Sequence, residues 1–203
     1  MSSLLRTLML SLPLSLWAVT AQSATAAATA IYVALDAKGE RTAPKAGPRP
    51  HPCVLDTASG LVWEVKTDDQ GPGDKDWTYT WHDDNVRADA FPSGYVDGGN
   101  CSHTGSCDTT GVVVDTNKRR LCGFGDWRMP TADELAGLLR PELPKKIDQR
   151  FFPNTIENYY WSGTYVPLET GGAMLVSFAH GMSLAGNAAA AAAVRLVRGP
   201  DQP

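Results

Sequence analysis

The chain carries no Gly-x-Ser-x-Gly elbow and no His-Glu-x-x-His pair. Two common signatures of hydrolytic chemistry are therefore missing. It has no surplus of positive charge: 18 Lys and Arg stand against 22 Asp and Glu, a formal net charge of −4. Nucleic acid and polyanionic surfaces are poor default partners for such a chain. No repeat recurs at solenoid spacing. The apolar run at residues 8–19 is interrupted by Pro13 and falls short of the roughly 20 residues that span a bilayer. Histidine is sparse and scattered, at His51, His82, His103 and His180.

What is present begins with that short run. Arg6 precedes it, and small residues follow at Val19-Thr20-Ala21 and Ala21-Gln22-Ser23. This is the tripartite pattern of a secretory signal peptide over residues 1–23, with no membrane span left after cleavage. The remaining chain suits one domain with a real core. Residues 24–50, first Ala/Thr-rich and then rich in Pro, Lys and Gly, read as a linker with a short strand at 31–35. The compact domain is expected over residues 51–199.

Four cysteines, Cys53, Cys101, Cys107 and Cys122, are even in number in an exported chain, which favours disulfides. Four cysteines allow three pairings. Zinc is the competing reading because His103 lies near Cys101 and Cys107, but the paired short spacings of a zinc knuckle are missing.

Strand composition appears at residues 61–65, after the Ser59-Gly60 turn, and again at 159–164, 174–178 and 194–197. Trp77-Thr78-Tyr79-Thr80-Trp81 alternates aromatic and hydroxyl residues, as a half-buried extended segment does. Asp108 is placed to cap a helix over 109–121, with Gly123 as its stop, although the β-branched run 112–114 is a poor helix former. Thr131 and Glu134 form a capping box for a second helix over 132–139. Residues 92–111 read as a long loop. Strands, then two short helices, then more strands describe an α+β domain.

Five tryptophans, Trp63, Trp77, Trp81, Trp127 and Trp161, sit inside framework segments and read as core. Trp77 and Trp81 are the exceptions, because they border an acidic Gly/Pro loop holding Asp68, Asp69, Asp74 and Asp76. Carboxylates at this spacing suggest calcium, but the order does not fit an EF-hand and Lys75 offsets charge, so a solvated loop is favoured. Asp68, Asp74, Trp77 and Trp81 are the candidate ligand-binding residues, with no cofactor assigned. The basic cluster Lys118-Arg119-Arg120 falls where it opposes the negative end of a helix dipole. Asp126 and Asp133 are the candidate ion-pair partners for the arginines Arg128, Arg195 and Arg198, with no individual pairing assigned. His82-Asp83-Asp84 has acid–base residues but reads as an ordinary loop.

Eight segments occur in order: Cys53-Val54-Leu55-Asp56; residues 57–65; Tyr79-Thr80-Trp81; Cys107-Asp108-Thr109; residues 122–135; Phe152-Pro153-Asn154-Thr155; Tyr160-Trp161-Ser162; and residues 194–198. Together they resemble the Lcl C-terminal domain family, found at the end of a bacterial collagen-like adhesin. The resemblance implies a C-type-lectin-like α+β fold with two short helices and small antiparallel sheets, related to that of formylglycine-generating enzymes. It also implies the pairing Cys53–Cys122 and Cys101–Cys107. The adhesin's domain binds sulfated glycosaminoglycans through basic loops, which this acidic chain does not reproduce. It also departs from the family at the aromatic-poor stretch 163–172 and the alanine run 188–193.

The expected function is a non-catalytic binding module, periplasmic or secreted, that contacts a glycan or a protein surface through the loops 67–76 and 92–105. Fold analogy carries this expectation. The alternatives are an exported enzyme on the formylglycine-generating fold and a structural envelope or appendage component.

Overall fold

The computed structural model describes residues 32–86, 93–102, 107–169 and 171–199. The signal peptide, residues 24–31 and His103 lie outside the described residues. Within them the architecture is α+β. One antiparallel sheet has the order β1-β2-β3-β7, built from β1 (Tyr32–Leu35), β2 (Cys53–Asp56), β3 (Val62–Glu64) and β7 (Val197–Arg198). A second antiparallel sheet is the meander β4 (Tyr159–Tyr165), β5 (Gly172–Ser177) and β6 (Met182–Asn187). Two helices, α1 (Thr109–Arg119) and α2 (Ala132–Ala136), lie between β3 and β4 in sequence.

Side chains alternate across a strand, and here both faces of the first sheet are covered. Cys53 and Val62 join one apolar cluster with Tyr79, Trp81, Trp127 and Trp161. Their neighbours Val54 and Trp63 join another with Leu135, Leu138, Phe152, Tyr160 and Phe178. β4 divides in the same way, Trp161 to one cluster and Tyr160 to the other.

Both disulfides have the pairing that the family resemblance implies, Cys53–Cys122 and Cys101–Cys107. The first is buried in the core, at 0% exposure for Cys53 and 2% for Cys122.

Several elements differ from expectation. Residues 41–50, read as linker, lie against the domain: Asn154 Nδ2 donates to the Gly47 carbonyl and the Asp68 N–H to that of Pro48. His51, almost wholly buried, accepts from Lys45 N–H at Nδ1 and reaches the Phe151 carbonyl with Nε2. These attachments are mostly polar and made through backbone, so no hydrophobic period announces them. α1 ends at Arg119, two residues early, because Arg120 adopts the left-handed conformation (φ 51°) and its N–H closes on Asn117 and Thr116. α2 stops at Ala136 with Gly137 as C-cap, while Leu138 continues into the core as a turn residue.

The alanine run is a clip rather than a strand or helix. Ala192 exchanges both backbone hydrogen bonds with Tyr79, and Ala193 bonds Trp161 N–H and the Tyr159 carbonyl, so one short segment joins residues 77–81 to β4. Ala188, Ala192 and Ala193 are buried there, and small side chains let the three backbones approach. β6 lacked strand composition because it is an edge with little buried surface. Gly186 within it is required: a Cβ there would lie 2.7 Å from the Trp161 ring and 2.5 Å from Leu175 Cδ1.

Candidate functional site

The acidic loop was the first candidate, and its own backbone explains it. Asp74 is buried, and its carboxylate accepts the N–H groups of Asp69, Gln70 and Asp76 at 2.7, 2.6 and 2.9 Å. Trp77 donates its indole N–H to the Gly71 carbonyl at 2.7 Å. Both residues brace the loop from inside. Asp68, Asp74 and Asp76 bring one oxygen each within 4.8 Å of one another. Lys75 reaches Asp68 at 3.0 Å and Asp76 at 2.6 Å, and these carboxylates hold its ammonium above its ordinary pKa. Calcium seeks six to eight oxygen ligands. This donor set does not suit it, since one carboxylate is spent on three N–H groups and the others share an ammonium.

Trp81 belongs elsewhere. It is buried, donates its indole N–H to the Ser162 carbonyl at 3.1 Å, and packs against Tyr165 at 5.8 Å between ring centroids. The four residues proposed from sequence thus divide: Asp68, Asp74 and Trp77 gather at the acidic loop, while Trp81 lines a different cleft.

That cleft, of about 470 Å³, opens between the loop 82–85 and α1. Trp81, Val113 and Met129 give it apolar lining, and His82, Asp83 and Asp84 give it polar lining. Local bonds shape it. His82 N–H donates to Thr109 Oγ1, and the hydroxyls of Thr109 and Thr110 donate back to the His82 carbonyl at 2.6 and 2.9 Å. These bonds seat the loop on the start of α1, which Asp108 caps through Gly111 N–H. Asp83 Oδ1 accepts from the Asn85 N–H and Nδ2, whereas Asp84 is exposed and 3.6 Å from His82 Nε2. The loop 93–100 flanks this region, with Tyr95 N–H bonded to the Trp81 carbonyl and the Tyr95 and Val96 side chains more than half exposed. Sequence reasoning passed over the cleft, although a signal existed. The β-branched run 112–114 is explained by a helix that buries Val112 and turns Val113 and the 45%-exposed Val114 toward an open surface.

Arg128 also lines the cleft, yet its charge is committed. It forms a bidentate pair with Glu134 at 2.8 Å for each bond, not with Asp126 or Asp133. Asp126, a candidate partner for all three arginines, pairs bidentately with Arg198. Glu134 completes the capping box by accepting Thr131 N–H. Burial acts to raise the Glu134 carboxyl, but the Arg128 and Thr131 bonds outweigh it and hold the group below its ordinary range. A depressed carboxyl adds stability that is full above its unfolded pKa of about 4.3 and is lost as pH falls through the folded value. The acid limb of the stability–pH curve is therefore expected to be shallower in Glu134→Gln than in the unsubstituted protein. Superimposable limbs in urea melts at pH 3 to 6 would show that the pair contributes nothing there.

The basic cluster serves helix termination. Arg119 pairs with Asp115 at 2.9 Å and Arg120 donates to the Gly123 carbonyl.

The sequence profile of the Lcl C-terminal domain matches residues 52–198. The chain belongs to the Lcl C-terminal domain family. The matched span takes in both disulfides, both helices and every strand except β1, which pairs with β2 from outside it. No curated protein matches the chain, and no solved structure does. Among the described residues of this Lcl C-terminal domain protein, no helix is long and apolar enough to cross a membrane.

Proposed function

We propose that this protein is an exported, C-type-lectin-like binding module that performs no covalent chemistry and holds a glycan or a protein surface at the cleft between residues 82–85 and α1. The observation that carries this reading is the cleft itself: an apolar floor with a polar rim, bounded by loops that a rigid two-sheet body holds in place. Three further observations support it. The four cysteines are all in disulfides, as suits an oxidising compartment and leaves no thiol for a cysteine-dependent reaction. The hydroxyls of Thr109 and Thr110, which line the cleft with His82, donate to its carbonyl. The leader-like residues 1–23 fit export to the periplasm or beyond.

The test pairs a glycan array with a pull-down from bacterial envelope extracts. It compares the intact protein with the double variant Asp84→Ala, Val114→Asp. Both positions are exposed, so the fold should be retained. Retention of a glycan or protein by the intact protein, weakened at least about tenfold in the variant, is expected; tenfold corresponds to roughly 1.4 kcal/mol. Blank results in both assays, or equal retention by the variant, would sink the assignment to this cleft.

A further inference from the structure

A second cleft, of about 620 Å³, lies between the turn that leads into β3 and the beginning of α2, and it shares no lining residue with the first. Leu61, Trp63 and Leu138 line it, together with Asp56, Ser59 and Asp133, and no lysine, arginine or histidine does. Asp133 is exposed and, among the described residues, makes no side-chain hydrogen bond or ion pair.

Trp63 is the telling residue. Four of the five described tryptophans donate their indole N–H to a backbone carbonyl: Trp77 to Gly71, Trp81 to Ser162, Trp127 to Leu121 and Trp161 to Tyr79. Trp63 is 1% exposed and its Nε1 has no partner. Buried donors are nearly always satisfied, so an orphan lining a cleft points to an acceptor that arrives from outside.

The chemistry of the cleft selects that acceptor. Among the described residues Asp133 is unpaired, and Asp56, whose Oδ1 accepts the Ala58 N–H at 2.9 Å, meets no cation, so these two carboxylates disfavour an anion. A lysine or arginine side chain would suit Asp56 and Asp133 but offers the indole no acceptor. A hydroxyl both accepts and donates, so vicinal hydroxyls can meet the Trp63 N–H and the carboxylates together. We propose that this cleft is a subsite for one uncharged saccharide unit, held by Trp63, Asp56 and Asp133. The indole nitrogen is shielded in the free protein, so binding opens the rim at its exposed turn, residues 57–60.

The test uses the intact protein labelled with nitrogen-15. The Trp63 indole signal is assigned by its disappearance in Trp63→Phe, which keeps the aromatic volume largely in place. Cellobiose, maltose, mannobiose and chitobiose are titrated in turn, with a heparin disaccharide and a lysine tripeptide as comparison ligands. At least one neutral disaccharide is expected to shift this signal saturably, with affinity about tenfold weaker in Asp133→Ala. The same response is expected in the Asp84→Ala, Val114→Asp variant, which separates this site from the first cleft. A signal unmoved by all four neutral sugars, moved instead by the heparin disaccharide or the tripeptide, or moved with equal affinity in Asp133→Ala, would overturn the proposal.

Discussion

Replacing Cys53 and Cys122 together by alanine is expected to cost about 4 kcal/mol of unfolding free energy, the chain-entropy value for a loop of this length. The two cysteines are 69 residues apart in sequence, and their sulfurs are buried between β2 and the turn after α1. The melting temperature should fall by about 8–16 °C for a domain of this size. The same replacement at Cys101 and Cys107, six residues apart, should cost only about 2 kcal/mol, because a short loop has less closure entropy to lose. Urea unfolding of both double variants measures the difference. Equal losses, or a loss below about 1 kcal/mol for the long bridge, would contradict the account.

An effect of similar size is expected from Glu64→Leu. Glu64 lies on β3 with its carboxylate buried: Oε1 meets Lys66 Nζ at 3.0 Å and Oε2 accepts the Leu196 N–H at 3.0 Å. Lys66 is itself 2% exposed. Removing the carboxylate strands a buried ammonium and an N–H, and one-sided loss of a buried pair costs about 3–5 kcal/mol. Replacing both partners, as Glu64→Leu with Lys66→Met, removes the stranded charge and should recover part of that loss. A double-mutant cycle in urea reads the coupling. If the double variant is no more stable than Glu64→Leu alone, the ammonium is not what makes the single substitution costly. Arg195 completes this interior. It is fully buried and donates to the Glu64 carbonyl and to Thr155 Oγ1 at 2.8 and 2.7 Å, with its guanidinium 4.9 Å from the centre of the Phe152 ring.

This interior explains one of the misread elements. Residues 194–197 have strand composition, but regular pairing is confined to Val197–Arg198. The Leu196 N–H that would extend the ladder is taken by the Glu64 side chain. A side chain standing in for a backbone partner leaves no trace in local composition. Trp81 stands apart from the acidic loop for a related reason: proximity in sequence to that loop says nothing about which side of the core an indole faces.

What the sequence alone determined were features decided within a few residues of each other. The Asp108 cap, the Thr131–Glu134 capping box, the strand at 62–64 and most of the framework tryptophans' burial follow from local hydrogen bonding, propensity and residue size. The ordered framework motifs carried the family and, through it, the disulfide pairing. Tertiary structure alone decided where the clefts are and which polar groups remain unspent. His82 is bound to Thr109, 27 positions away, Arg195 to Thr155, 40 away, and Trp81 to Ser162, 81 away. Whether a carboxylate or an indole is free to meet a ligand depends on partners brought from such distances. Trp63 shows the limit: its burial was legible from its composition and setting, whereas its lone unpartnered N–H appears only once every carbonyl around it has a place.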